Sequence, residues 1–239
     1  MMRTWIRAGG ATVAALLLAA PVSAQVVQSF QIGAGVFLPR GYDARAQGDV
    51  LVEDLNSFEP LLFFVKDFRS GEVFGEWNVA FGPHVEVGGG LSYLGRSVPS
   101  VYRNLINNDG TEITQDLRLR MAPATAVVRF LPFGRPGEIQ PYVGMGVSLI
   151  NWRYSESGDF VDTSDNSIFR DRFTASGHDV GGVLLGGVRA PIGGDIYSLT
   201  AEYRYLFGEG KTGGLDAGFL GDKIDLSGGM FRFGFMVRF

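Results

Sequence analysis

One pair of residues has a spacing suited to covalent chemistry. Ser176 and His178 are two positions apart in an alternating segment, so their side chains point to one face of a strand. With an acid such as Glu202 from the next segment, they would form a hydrolase site in which the histidine activates the serine. Glu202 lies on the charged face of its own segment, which is the wrong side if Ser176 and His178 face lipid. We therefore predict no catalytic residue and no enzymatic activity, with a lipid-active hydrolase as the second alternative function.

Metal and cofactor sites find little support in the sequence. Asp159, Asp162 and Asp165 are spaced three apart in a polar segment, but they lack the ligand spacing and closing glutamate of an EF-hand loop. The chain has no cysteine and two histidines, and these give no cluster with metal-ligand spacing. Three glycines at 88–90 fall within an alternating segment, which indicates close packing or a bend rather than a phosphate loop. We predict no metal and no cofactor.

The elements that must position these residues are strands. Period-two alternation dominates after residue 25 and predicts eight strands. They lie near 28–38, 73–81, 85–96, 113–130, 139–154, 172–190, 197–207 and 223–239. The connections alternate between short turns rich in glycine and proline and long polar loops, as the two rims of an outer-membrane barrel do. The predicted fold class is all-β, an eight-stranded antiparallel up-and-down transmembrane β-barrel, with the facing of 139–154 and 172–190 left open.

The final segment indicates which side of the wall meets lipid. Its one face is apolar and mostly aromatic, with Phe231, Phe233, Phe235, Val237 and Phe239. The opposite face carries Arg232 and Arg238. A basic residue facing lipid near the membrane centre costs about 2–4 kcal/mol, so the aromatic face must point outward. A soluble lipocalin-like barrel, the alternative fold, would place these aromatic residues inside.

Charged residues therefore collect in the predicted lumen. The inward face of the assigned segments holds Glu76, Glu86, Arg96, Asp116, Arg118, Arg120, Glu202, Arg204, Arg232 and Arg238. An eight-stranded barrel is just narrow enough for side chains to fill, so mixed charges should pair in a structural polar network. A narrow gated channel lined by the same pairs is the first alternative function. Arg129 fits the inward face only if a bulge near Pro123 shifts the register.

The N-terminus has the pattern of an export signal. Arg3 and Arg7 precede an uncharged apolar run, and small residues lead up to Ala24. We predict a signal peptide at 1–24, cleavage after Ala24 and a barrel domain at 25–239. An exported chain without cysteine has no disulfide to stabilise it. The formal net charge of −4 argues against a nucleic-acid partner.

The long loop near 39–72 is the first place to look for a binding surface. It contains the apolar run Leu-Leu-Phe-Phe-Val at 61–65, which is too apolar to remain fully solvated. The run could extend a strand, cover the barrel mouth, or contact a partner or the outer leaflet. Acidic residues outnumber basic ones in this loop, which disfavours anionic ligands.

The signal peptide, the alternating strands, the unequal rims and the terminal Phe239 resemble the small outer-membrane barrel superfamily of the OmpA transmembrane domain, OmpX and the opacity proteins. The resemblance implies an integral protein of the bacterial outer membrane, surrounded by outer-membrane lipid and lipopolysaccharide. The last strand is similar to the C-terminal assembly signal of such barrels, which implies the barrel-assembly machinery and periplasmic chaperones as partners. A structural or surface-binding envelope role follows, with the specific activity and the extracellular ligand unknown.

Overall fold

The computed structural model describes residues 26–135, 139–162, 165, 167–192, 194 and 196–239. The predicted signal peptide at 1–24 lies outside the described residues. In chain order the elements are β1 (Val27–Pro39), α1 (Val50–Asn56), β2 (Leu61–Leu62), β3 (Ser70–Phe81), β4 (Val85–Ile106), β5 (Glu112–Phe130), β6 (Gln140–Val161), β7 (Ile168–Ile192), β8 (Tyr197–Leu206), β9 (Glu209–Lys211), β10 (Lys223–Asp225) and β11 (Gly228–Arg238). Within the described residues, no helix is long and apolar enough to cross a membrane.

Eight of the strands close into a barrel. The order around the wall is β1-β3-β4-β5-β6-β7-β8-β11, and every neighbouring pair is antiparallel. Closure occurs between β1 and β11, from Ser29 opposite Arg238 to Pro39 opposite Gly228. Within this closed ring each strand is paired on both sides, and an unpaired edge in hydrocarbon would cost several kcal/mol for each exposed backbone group. The predicted fold class is confirmed.

Four consecutive strands are longer than a membrane requires. β4, β5, β6 and β7 contain 22, 19, 22 and 25 residues, whereas a tilted spanning strand needs about 9–11. β3 pairs with β4 only as far as Leu94, so the four long strands continue past their neighbours on the side of the long loops. One flank of the barrel therefore rises beyond the membrane, which the shorter predictions at 85–96 and 139–154 missed.

The loop between β1 and β3 folds into the barrel mouth. Asp49 caps α1 by accepting a hydrogen bond from the Leu51 amide (3.1 Å). The same carboxylate accepts from the Arg45 guanidinium (2.7 Å) and from the Asp225 amide (2.6 Å), which joins this loop to the β10 strand of the last loop. Val50 and Leu51 point inward and are fully buried. The mouth is therefore filled by a small apolar unit built from two loops.

The apolar run at 61–65 extends the sheet and covers the mouth. Leu61 and Leu62 of β2 pair with Tyr102 and Val101 of β4, where β3 no longer reaches. Phe63, Val65 and Phe68 turn inward and are buried, whereas Phe64 between them is exposed. Two of the three predicted roles for this run are thus realised together.

Candidate functional site

The two faces of strand β5 exchange polarity halfway along, while the same alternate residues point inward throughout. Towards the turn rim, Val128 is exposed on the outside while Arg129 is buried inside. Towards the loop rim, Leu117 and Leu119 are buried inside while Arg118 is exposed on the outside. One wall therefore has an apolar exterior and polar interior at one end, and the reverse at the other. This inversion fits a strand that leaves lipid and enters water.

Three inward predictions on β5 are wrong for this reason. Asp116, Arg118 and Arg120 lie on the outer face, whereas the prediction assumed that lipid surrounds the whole strand. Beyond the membrane, burying apolar side chains inside gains about 25 cal/mol per Å² removed from water. The predicted bulge is also absent, since Pro123 pairs with Ile150 in the same register that pairs Phe130 with Val143. Arg129 reaches the lumen without it.

The inward prediction for Arg96 is also wrong. Arg96 alternates in step with the inward-facing, buried residues Leu94 and Val98, but its own side chain is exposed. It lies beyond the last pairing of β3 with β4, and its Nε donates to the Asp67 carbonyl (3.2 Å). The neighbouring strand ends here, so the arginine emerges through the gap instead of entering the lumen.

A balanced ionic layer fills the membrane-embedded part of the lumen. It consists of four arginines and four glutamates, all at most 5% exposed: Arg129, Arg189, Arg204, Arg232, Glu72, Glu76, Glu86 and Glu202. The prediction included Glu76, Glu86, Glu202, Arg204 and Arg232. Arg129, Arg189 and Glu72 were missed, Arg189 because the facing of β7 was open and Glu72 because its strand begins earlier than predicted. Arg238 has the inward parity near the turn rim and is half-buried.

Arginines bridge the carboxylates within this layer. Arg204 contacts Glu76 (2.9 Å) and Glu202 (2.8 Å). Arg129 bonds to Glu76 and Glu202, and lies 3.6 Å from Glu86. Arg189 reaches Glu86 with both terminal nitrogens (3.1 and 2.9 Å). Because the charges cancel and each is paired, burial avoids the penalty of several kcal/mol that an unpaired buried ion incurs.

Two glycines make room for the ionic layer. A Cβ at Gly88 would lie 2.4 Å from the Asn78 Oδ1 and 2.8 Å from an Arg129 nitrogen. A Cβ at Gly90 would lie 2.9 Å from the Glu76 Cγ. The glycine run at 88–90 thus permits close packing of charged side chains.

An apolar layer fills the lumen between the ionic layer and the mouth. It includes Leu117, Leu119, Met121, Ile150, Trp152, Leu206 and Met230, each at most 3% exposed. The same cluster continues into the mouth unit through Leu51, Phe219 and Ile224. Side chains therefore occupy the barrel axis at two successive levels.

The hydrolase constellation is not assembled. Ser176 and His178 are exposed on the outer face of β7, whereas Glu202 is buried in the ionic layer. The Asp159 carboxylate lies 3.9 Å from the Arg170 guanidinium, in an ion pair. Across the part of the chain that the structure describes, no three acidic, histidine or cysteine residues are grouped in a way that could hold a metal.

Four arginines line a groove on the outer wall where β5, β6 and β7 leave the apolar band. This arginine groove consists of Arg118, Arg120, Arg153 and Arg172, with Asp116 and several serines, around about 370 Å³. Arg120 stands directly opposite Arg153. In the ion pairs found among the described residues, these four guanidinium groups do not take part. Arg118 and Arg120 belong to the predicted inward set, but the structure places them on the outer wall.

The outer surface of the last strand has the predicted character. Phe231, Phe233, Phe235 and Phe239 are exposed on the outside of the wall and Val237 is half-buried. Arg232, between them in sequence, is buried and bonded to Glu72. This arrangement is the reverse of the lipocalin-like alternative.

Comparison with solved structures gives similarities of fold at low identity. Ail, the attachment invasion locus protein of Yersinia pestis, shares 14% of residues with a TM-score of 0.44, covering 89% of this chain and 98% of that one. Neisserial surface protein A shares 15%, TM-score 0.41, covering 90% and 96%. Outer membrane protein W of E. coli shares 16%, TM-score 0.38, covering 89% and 97%. No curated protein sequence matches the chain.

A family model gives the assignment. The model described as outer membrane protein beta-barrel domain matches residues 11–239, nearly the whole chain. The closed eight-stranded wall and the exposed apolar band are features that any β-structure needs in order to span a membrane. The chain belongs to the outer membrane protein β-barrel domain family and is an integral protein of the bacterial outer membrane.

Proposed function

We propose that the protein is a sealed, non-enzymatic envelope barrel whose outer wall binds the phosphate groups of lipopolysaccharide. The observation that carries this proposal is the opposition of Arg120 and Arg153 in the arginine groove. Like charges directly opposite on neighbouring strands destabilise a sheet. An anion from outside the chain would relieve this repulsion, and guanidinium groups bind phosphate in bidentate geometry.

The height of the groove supports a lipid headgroup as that anion. On β5 the outward residue next to Arg120 is Ala122, which begins the small and apolar exterior of that strand. On β6 Leu149 is the last exposed apolar residue, and Arg153 follows two outward positions later. The guanidinium groups therefore lie at the boundary between hydrocarbon and water, where the phosphates of the outer leaflet are found.

The lumen supports a sealed barrel rather than a channel. An eight-stranded barrel is filled by its own side chains, and water-filled pores belong to barrels of about 16 strands. Here the ionic layer and the apolar layer occupy the axis one above the other. Exposed functional surface is thus confined to the outer wall and the extracellular mouth.

Biogenesis completes the proposal. We infer that residues 1–24 are removed after Ala24 during export, and that periplasmic chaperones and the barrel-assembly machinery recognise the aromatic face of β11. The exposed Phe233 and Phe239 supply such a face. Intact-mass measurement of the protein from outer membranes tests the cleavage, because a chain beginning at Gln25 has a defined mass.

The lipid proposal is tested by binding of lipid A to the folded protein in neutral detergent. Wild-type protein should bind lipid A and should bind dephosphorylated lipid A much more weakly. The double variant Arg120→Gln/Arg153→Gln should lose about tenfold in affinity, because a hydrogen bond to a charged group contributes about 1.5–3 kcal/mol. Arg103→Gln is the matched control, since Arg103 is an exposed arginine on β4 outside the groove. Equal affinity of the double variant and the control variant would refute the groove as the binding site.

A further inference from the structure

The extracellular mouth contains a cavity of about 660 Å³ with an unusual lining. Acidic and aromatic side chains dominate its wall: Asp54, Glu59, Glu156, Asp162, Phe58, Phe160, Phe169 and Phe173. Among its described lining residues there is no lysine, arginine or histidine. The cavity is therefore electronegative and largely apolar, unlike the arginine groove on the outer wall.

Three buried oxygen atoms that border this cavity accept no hydrogen bond from an amide or guanidinium group. They are the Asp54 Oδ2, the Gln115 Oε1 and the Glu156 Oε1, on side chains that are 3%, 3% and 5% exposed. Asp54 and Glu156 instead hydrogen-bond to each other through a shared proton. The Gln115 amide nitrogen donates to the Tyr102 hydroxyl (2.9 Å) and the Asp159 carbonyl (3.2 Å), which fixes the amide so that its oxygen remains free. A buried acceptor without a donor costs about 1–3 kcal/mol. A ligand that supplies donors would recover this free energy.

The protonation of the acidic pair sets the charge that a ligand must carry. Burial raises the pKa of Glu156 to about 7. Burial, followed by the nearby Glu156 carboxylate, raises the pKa of Asp54 well above its ordinary value. The other ionisable groups that act on the pair are Asp49, Glu53, Tyr102 and Tyr154, and none of them is basic. Near neutral pH the Asp54–Glu156 pair therefore retains a proton and carries at most one negative charge. A monovalent cation would neutralise that charge.

We propose that the mouth cavity binds a small molecule with a primary ammonium group on an apolar body. An ammonium group has three donors and no acceptor, so it would satisfy the unpartnered Gln115 oxygen and replace the proton between the Asp54 and Glu156 carboxylates. Phe160 and Phe173, whose ring centroids are 4.8 Å apart, form an aromatic wall beside them. A cation over an aromatic face gains further stabilisation.

The cavity rim supports the apolar body of the ligand. Phe58, Leu215 and Leu220 border the cavity and are 89%, 78% and 52% exposed. An apolar group that covered these side chains would remove their surface from water. The proposed ligand is therefore amphiphilic, with its ammonium group at the buried floor and its apolar part at the rim.

The lining fits an organic cation better than a calcium ion. Calcium takes six to eight oxygen ligands, whereas much of this wall consists of aromatic rings and aliphatic side chains. The described residues also contain no group of three acidic, histidine or cysteine residues suited to a metal. Calcium binding is thus an alternative outcome of the test.

The test is calorimetric titration of the folded protein in neutral detergent with 2-phenylethylammonium chloride. N-acetyl-2-phenylethylamine, which has the same apolar body without the charge, is the matched ligand control. Wild-type protein should bind the amine saturably and the acetylated compound at least tenfold more weakly. Affinity for the amine should rise from pH 5.5 to pH 8, because deprotonation of the pair strengthens the attraction. Equal binding of the two compounds, saturable binding of calcium chloride instead, or no saturable binding would each overturn the proposal.

Variants locate the site. Glu156→Gln and Asp54→Asn should each weaken amine binding at least tenfold. Asp109→Asn, which changes an exposed turn acid outside the cavity, should leave it unchanged. Heat-modifiable gel mobility confirms that each variant is folded, and the comparison of the two ligands on the wild-type protein stands even if a variant does not fold. Unchanged affinity in both folded cavity variants would also overturn the proposal.

Discussion

Arg129 is the side chain whose loss should damage the barrel most. Its guanidinium bonds to Glu76, lies 3.2 Å from Glu202 and 3.6 Å from Glu86, and donates to the Asn78 side chain (2.7 Å). Substitution Arg129→Met keeps a long apolar side chain but removes all of these contacts. The ionic layer then has one more glutamate than arginine, and the Asn78 oxygen loses its donor.

The expected cost follows from the burial of the layer. Breaking a buried ion pair by removing one partner costs about 3–5 kcal/mol, because an uncompensated charge remains. Arg129→Met should therefore lower the free energy of unfolding by at least about 3 kcal/mol. The double variant Arg129→Met/Glu76→Gln restores the balance of charge and should be more stable than the single variant. Residues in one network typically couple by about 0.5–3 kcal/mol.

The assay is reversible urea unfolding in lipid vesicles, followed by tryptophan fluorescence and by gel mobility without boiling. Arg103→Gln, an exposed arginine on β4, is the control and should change the stability by less than about 0.5 kcal/mol. A loss below about 1 kcal/mol for Arg129→Met, or a double variant less stable than the single one, would refute the role assigned to the ionic layer.

Three further predictions concern the lumen and its mouth. Gly88→Ala should destabilise the barrel by about 1–3 kcal/mol in the same urea assay, because the added Cβ meets Asn78 and Arg129 at 2.4 and 2.8 Å. Planar-bilayer recordings of the purified protein should give no discrete conductance steps, whereas regular steps would revive the channel alternative. The pKa of Glu156 is about 7 in the folded protein and 4.5 in the unfolded chain, so protonation of Glu156 favours the folded state. The free energy of unfolding is therefore highest below about pH 4.5 and falls as pH rises through 7. Hydrogen exchange of α1 should therefore accelerate from pH 5 to pH 8 after correction for intrinsic rates, and Glu156→Gln should flatten this dependence; equal pH profiles for the two proteins would contradict it.

Alternation predicted the wall well because it depends on the local chain. The segment at 197–207 alternates Leu199, Ala201 and Tyr203 with polar residues, and the structure gives β8 from Tyr197 to Leu206 with the apolar residues outward. A strand with lipid on one side and a filled lumen on the other can adopt only one facing at acceptable cost. The last strand is interpretable from sequence for the same reason.

The prediction of which β5 residues point inward was wrong because alternation alone does not show whether lipid or water surrounds a strand. Leu119 and Arg120 alternate as Phe231 and Arg232 do, yet the charged member lies outside in one strand and inside in the other. The number of residues was the available signal, since 19 residues exceed a membrane span of about 9–11. The change from lipid to water along β5 explains why Arg118 and Arg120 were predicted on the wrong face. It also explains why Arg129 faces the lumen without a bulge near Pro123.

The mouth cavity could not be predicted from the sequence because its lining residues are distant from one another in the chain. Asp54, Gln115 and Glu156 come from a loop helix and two strands, and only the folding of α1 into the mouth brings them together. The sequence indicated no more than an acidic loop that disfavours anions. The pairing of Asp54 with Glu156 is a tertiary feature that no local pattern records.

A cysteine scan along β5 tests whether this strand passes from lipid into water, and the protein has no native cysteine that would interfere with labelling. Single variants at Ala126 and Val128 should carry a fluorophore that brominated lipid chains quench. Variants at Arg118 and Arg120 should instead react with a water-soluble maleimide added outside, and Leu119→Cys should resist both reagents. Quenching by lipid chains at Arg118 together with maleimide labelling at Leu119 would contradict the passage of β5 from lipid into water.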